Sequence, residues 1–133
     1  MSSQTIKFEY DPGRNILFTE DDYSVQTEKE VDDFIRINLQ KLESIGRKVY
    51  MISKIDGLRI GAGVSEYYGR RSRDVFQNHI LGFARYGDEP SARMTVRTAS
   101  KKAKLESNIC DSREEAVRAV ERMKAAAGPP APG

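Results

Sequence analysis

Apolar and polar residues alternate twice at the start of the chain, and the two runs predict a hairpin. Ile6, Phe8 and Tyr10 are spaced by two with polar residues between them, the period of a half-buried strand. Asp11-Pro12-Gly13-Arg14-Asn15 follows, where proline presets φ and glycine admits positive φ. Ile16 and Phe18 then resume the apolar run. Beyond them the period lengthens. Thr27 stands three residues before Glu30, a capping-box spacing that marks a helix start. Val31, Phe34, Ile35, Leu39 and Leu42 recur at helical intervals until Ser44-Ile45-Gly46. Residues 49–52 form an apolar run of buried-strand length, residues 65–77 read as a second helix weakened by Gly69, and residues 80–86 read as a strand. Pro90 suits the first turn of a third helix, whose apolar face is Ala92, Val96, Ala99 and Ala103. Residues 105–110 read as a short strand. Ser112 and Glu115 repeat the capping box before a last helix striped by Ala116, Val120 and Met123.

The resulting order is β-β-α-β-α-β-α-β-α, an α/β class with a mixed five-stranded sheet flanked by four helices. A hairpin feeding alternating strands and helices makes the later strands parallel, with right-handed crossovers. One domain is expected over residues 5–124. Residues 125–133, Ala-Ala-Ala-Gly-Pro-Pro-Ala-Pro-Gly, are expected to form a flexible tail, because a helix cannot run through Gly-Pro-Pro.

Composition narrows function more than fold. A chain of 133 residues suits one domain with a core of its own. Its 22 basic and 20 acidic residues leave a net charge of +2, so no global basic signal for nucleic acid is present. One Cys and one His exclude a disulfide framework and a zinc site built on Cys/His clusters. No apolar run reaches the roughly 18 residues of a bilayer span, which makes a soluble cytoplasmic domain the expectation, with no membrane role and no cofactor.

The charge is unevenly placed. Arg93, Arg97, Lys101, Lys102 and Lys104 occur with no acid among them, whereas residues 20–33 hold seven acids and one Lys. Cations at a helix end and acids at a helix start oppose the macrodipole, so a solvated face explains much of this. The sharper reading is an anion-binding set that docks an acidic partner or nucleic acid. Arg70, Arg71 and Arg73 extend the basic surface after Tyr67 and Tyr68. Those two tyrosines point about 100° apart on a helix, so at most one fits the core. Gly61-Ala62-Gly63 lies between a strand and the second helix. It lacks the third glycine of a dinucleotide fingerprint and the Gly-Lys-Ser/Thr of a phosphate loop, so it reads as a tight turn. His79 has no nucleophile or ligand beside it, Cys110 reads as a small hydrophobe, and Asp56-Gly57 and Gly87-Asp88 read as turns as readily as sites. No acid/base pair or activated nucleophile is present, and an enzyme is not expected. An apolar pocket between helices and sheet is not readable at this level.

The element order, with Val49-Tyr50-Met51-Ile52-Ser53 followed by Gly63, resembles the STAS family, and most nearly its SpoIIAA-like, anti-sigma factor antagonist-type domains. The resemblance runs over residues 5–124. The hairpin looks like their first two strands, residues 82–88 like the strand and loop before their third helix, and residues 111–116 like the start of their last helix. Such domains are interaction modules in which a serine of an Asp-Ser-Ser-Gly-Leu loop is phosphorylated by a partner kinase. Placed by the preceding strand, that loop falls on Ile60-Gly61-Ala62-Gly63-Val64. Gly63 matches, Val64 is conservative, and both serine positions lack a hydroxyl; Ser65 is the nearest one. The resemblance therefore implies a regulatory module without the phosphoacceptor. The expected partner surface is Gly61, Gly63, Ser65, Tyr67, Tyr68, Arg70, Arg71 and Arg73, and the expected partner is a regulatory protein. Nucleic acid ranks second as a partner. Pairing through an edge strand or an exposed helix is the expected route to a homodimer.

Overall fold

A computed structural model describes residues 4–127. Strands β1 (Thr5–Asp11) and β2 (Ile16–Val25) form the hairpin, and helix α1 (Glu28–Ile45) leads to β3 (Val49–Ile60). A single 3-10 turn (Ala62–Val64) opens helix α2 (Ser65–His79). Strand β4 (Ile80–Tyr86), α3 (Pro90–Lys102), β5 (Ile109–Cys110) and α4 (Arg113–Ala127) complete the chain. The sheet runs β1-β2-β3-β4-β5, with β1 antiparallel to β2 and the other neighbours parallel.

Local chemistry sets most boundaries. Thr27 accepts the Glu30 N–H while the Glu30 carboxylate accepts the Thr27 N–H, which closes the capping box of α1. Gly46 ends that helix at φ 81°, the left-handed region that favours glycine. Glu89 caps α3 ahead of Pro90, and Ser112 Oγ accepts the Glu115 N–H at the start of α4.

Three boundaries differ from expectation. Strand β3 runs to Ile60 rather than stopping near residue 52, because its pairing with β2 continues past a bulge between Glu20 and Asp22. Strand β5 shrinks to two residues. Residues 125–127, expected in the tail, continue α4 as helix. The rest of the expected tail lies outside the described residues.

A sheet with strands in sequence order and crossovers of one hand places successive helices on one face. Helices α1, α2 and α3 accordingly cover one side, where Val31, Phe34, Leu42, Val75 and Val96 pack on Leu17, Val25, Val49 and Ile55. Helix α4 lies on the other side, with Ala116 and Val120 against Ile16, Phe18, Tyr50, Ile52 and Ala84. Among the described residues no helix is long and apolar enough to cross a membrane.

Candidate functional site

Helices α2 and α3 meet at the closest approach their side chains allow. A methyl group at Gly69 would collide with the Ala99 carbonyl oxygen and lie 2.9 Å from Ala103 Cβ. Two polar contacts tie the same seam. Lys102 Nζ donates to Ser65 Oγ at 2.7 Å, and an Arg73 guanidinium N–H donates to the Ala103 carbonyl at 3.1 Å. The helices that carry the two basic sets thus pack directly on each other, with Arg73 and Lys102 bonding across. Along the outer face of α3, Met94, Arg97 and Lys101 follow at helical spacing, all exposed, and Met94 keeps 66% of its surface. The outer stripe of α2 is mixed, with Glu66, Arg70 and Asp74 exposed.

The expected partner residues divide by placement. Gly63 and Arg70 are exposed, while Gly61, Tyr67, Arg71 and Arg73 are half-buried. Ser65 and Tyr68 are 3% and 5% exposed and belong to the interior, so neither can meet a partner. The helical repeat decides this: Ser65, Tyr68, Ser72 and Val75 fall on the inward stripe of α2. Tyr67 and Arg71 turn toward α1, where the Tyr67 hydroxyl donates to Asp32 at 2.5 Å and Arg71 Nε lies 3.4 Å from the same carboxylate. That hydrogen bond raises the Tyr67 phenol above its ordinary pKa. Of the anion-binding set, Arg97, Lys101 and Lys102 are exposed, as is Lys104. Arg93 is instead structural: it bonds the Gly87 carbonyl and pairs with Asp111, both at 3.2 Å.

Asp56 lies inside β3 and not in a turn, and Oδ1 accepts the N–H groups of Asp88 and Glu89 at 2.7 and 2.9 Å. It holds the loop that leads into α3. Cys110 is buried, which pushes its thiol up. Among the described residues no three His, Cys, Asp or Glu side chains gather to hold a metal ion.

A polar constellation inside the fold was not foreseen. On the face covered by α1, α2 and α3, Thr19, Ser53 and Arg85 stand in one row across β2, β3 and β4, and the Thr19 and Ser53 hydroxyls bond at 2.7 Å. Asp21 lies two residues beyond Thr19, and Tyr68 and Ser72 reach the same cavity from α2. Asp21 and Arg85 are 5% and 4% exposed. Burial pushes the Asp21 carboxyl up to about 7, against the pull of Arg85. Burial also lowers Arg85, whose guanidinium donates to the Ser107 carbonyl at 2.9 Å. It faces the stacked rings of Phe76 and Phe83, 5.4 and 4.9 Å from their centres. The available signal was parity: Leu17, Tyr23 and Val25 share the inward side of β2 with Asp21.

No family model and no curated protein matches the chain. The fold is similar to that of the anti-sigma factor antagonist SpoIIAA solved in its unphosphorylated form. The likeness covers 91% of this chain and 97% of that one, with a TM-score of 0.55 and 13% sequence identity. At that identity the likeness is one of fold, and it establishes a divergent STAS-like architecture for this chain.

Proposed function

We propose that this chain is a regulatory, non-catalytic interaction module that docks an acidic protein on the α2–α3 face. The observation that carries the proposal is the direct packing of α2, which bears the exposed Arg70, against α3, which bears the exposed Arg97, Lys101, Lys102 and Met94. Cations around an apolar anchor suit a protein partner: the charges steer the encounter and the methionine supplies buried area. The fold likeness to an anti-sigma factor antagonist supports a regulatory role. Nothing between Ile60 and Val64 carries a hydroxyl, so a serine switch at the position the family resemblance suggests has no acceptor here. Ser65 is buried under Lys102, which argues against its use instead.

The test is capture from native extract by the immobilised full chain, with and without nuclease, beside a variant carrying Arg70→Glu, Arg97→Glu and Lys101→Glu. The expected result is a protein recovered in both samples and lost with the variant. Recovery that the charge reversal leaves unchanged would overturn the surface. Recovery abolished by nuclease would transfer the same cations to a nucleic-acid role, with the steep salt dependence that phosphate neutralisation brings.

A further inference from the structure

The cavity under α1 and α2 has a volume of about 30 Å³. That is room for about two water molecules and not for an organic ligand. Its chemistry is nonetheless that of a built site. Asp21 and Arg85 reach it from β2 and β4, on either side of β3, and both are more than nine-tenths buried. A carboxylate held there needs donors, from water or from a side chain that turns to meet it, whereas the neutral acid needs far less. Side-chain donors in the cavity lining come from the sheet (Thr19, Ser53, Arg85), from α1 (Asn38) and from α2 (Tyr68, Ser72).

The groups facing Asp21 can be named element by element. Arg85 comes from β4 and favours the carboxylate, while Glu20, its neighbour on β2, disfavours it. Lys7 from β1, Asp22 from β2, and Lys54 and Asp56 from β3 line a second pocket that Asp21 also borders. Tyr68 comes from α2 and is itself raised by burial. Helix α1 brings Phe34, Ile35 and Asn38, and β3 brings Met51, Ser53 and Ile55, none of which titrates. Asp21 is thus the group in this cavity whose charge changes near neutral pH. Charging it draws water or donors of the lining toward the carboxylate, and α2, which forms one wall with Tyr68 and Ser72, adjusts to either change.

We infer that this cavity couples proton release at Asp21 to a looser seating of α2 on the sheet, and so controls the surface that α2 and α3 present. The consequence for partner docking rests on the function proposed above; the coupling of Asp21 to α2 stands without it. Proton uptake closes the cavity and firms the helix. Proton release opens it.

Amide hydrogen exchange on the full chain tests this without any partner. After correction for intrinsic rates, α2 amides are expected to open at least about fivefold more readily at about pH 8 than at about pH 6, and α4 amides are expected to change less. Asp21→Asn is expected to flatten the α2 response. An equal response in α2 and α4 would overturn the inference, as would a response that survives in the variant. Should the variant fail to fold, the unaltered chain decides: an α2 exchange midpoint that coincides with the Asp21 carboxyl-carbon NMR midpoint supports the coupling, and midpoints more than about one pH unit apart refute it. A chain that passes these tests yet captures no partner separates failure of the docking proposal from failure of this one.

Discussion

Gly69 of α2 lies directly against the backbone of Ala99 on α3, with Ala103 beside it. Glycine is a poor helix former, and alanine at an open helix position would gain up to about 1 kcal/mol. Here the added methyl would meet a carbonyl oxygen that cannot move independently of its helix. Overpacking of this kind costs about 1–3 kcal/mol, which outweighs the propensity gain. Gly69→Ala should therefore lower the midpoint of chemical denaturation. A raised midpoint would mean that the helices separate freely and that the seam is not rigid.

Stability should depend on pH through Asp21. Its folded pKa of about 7 lies above the ordinary 3.8, so the folded state binds more protons than the unfolded state between those values. The associated stabilisation is complete below about 3.8 and is lost as pH rises through about 7. Asp21→Asn mimics the neutral acid, so it should change little below about pH 3.8, stabilise the chain increasingly between about pH 3.8 and 7, and keep that gain at alkaline pH. Denaturation curves at several pH values check this. Equal effects of the substitution at both ends of the range would contradict it.

Asp56→Ala removes the acceptor shared by the Asp88 and Glu89 N–H groups. Loss of such a buried or half-buried acceptor costs about 1–3 kcal/mol. Asp56→Asn keeps one carbonyl acceptor and should recover part of that loss. Urea denaturation of the two variants side by side is the measurement, and equal stability of both with the unaltered chain would refute the clamp.

The basic residues should separate by role. Arg97 and Lys101 are exposed, and reversing them should leave the denaturation midpoint nearly unchanged while weakening capture of an acidic partner. Arg73 and Arg93 anchor backbone carbonyls at Ala103 and Gly87, so Arg73→Ala and Arg93→Ala should each lower stability by about 1 kcal/mol. Destabilisation by the first pair and none by the second would reverse the assignment.

Much of this architecture was written in local pattern. Thr27 and Glu30 mark the start of α1, Gly46 its end and Pro90 the start of α3, because caps depend on a few consecutive residues. Period-two and helical spacing identified the element order for the same reason. The length of β3 was hidden, since Ile55, Leu58 and Ile60 follow a bulge in the pairing with β2 that breaks simple alternation. The placement of the residues expected at a partner surface was half legible. Adjacent tyrosines announced that at most one would be buried, and only packing against Phe34 of α1 made it Tyr68.

The sequence by itself determined the α/β class, the caps and the two basic sets, all of which follow from near neighbours along the chain. Tertiary structure alone decided that the helices bearing those sets pack together, because the Gly69–Ala99 approach joins segments 30 residues apart. It also decided that Asp21 and Arg85 meet the same cavity. Each is an ordinary charged residue in its own stretch of chain. What makes them unusual is the removal of water by helices that close over the sheet, and that desolvation exists only in the folded protein.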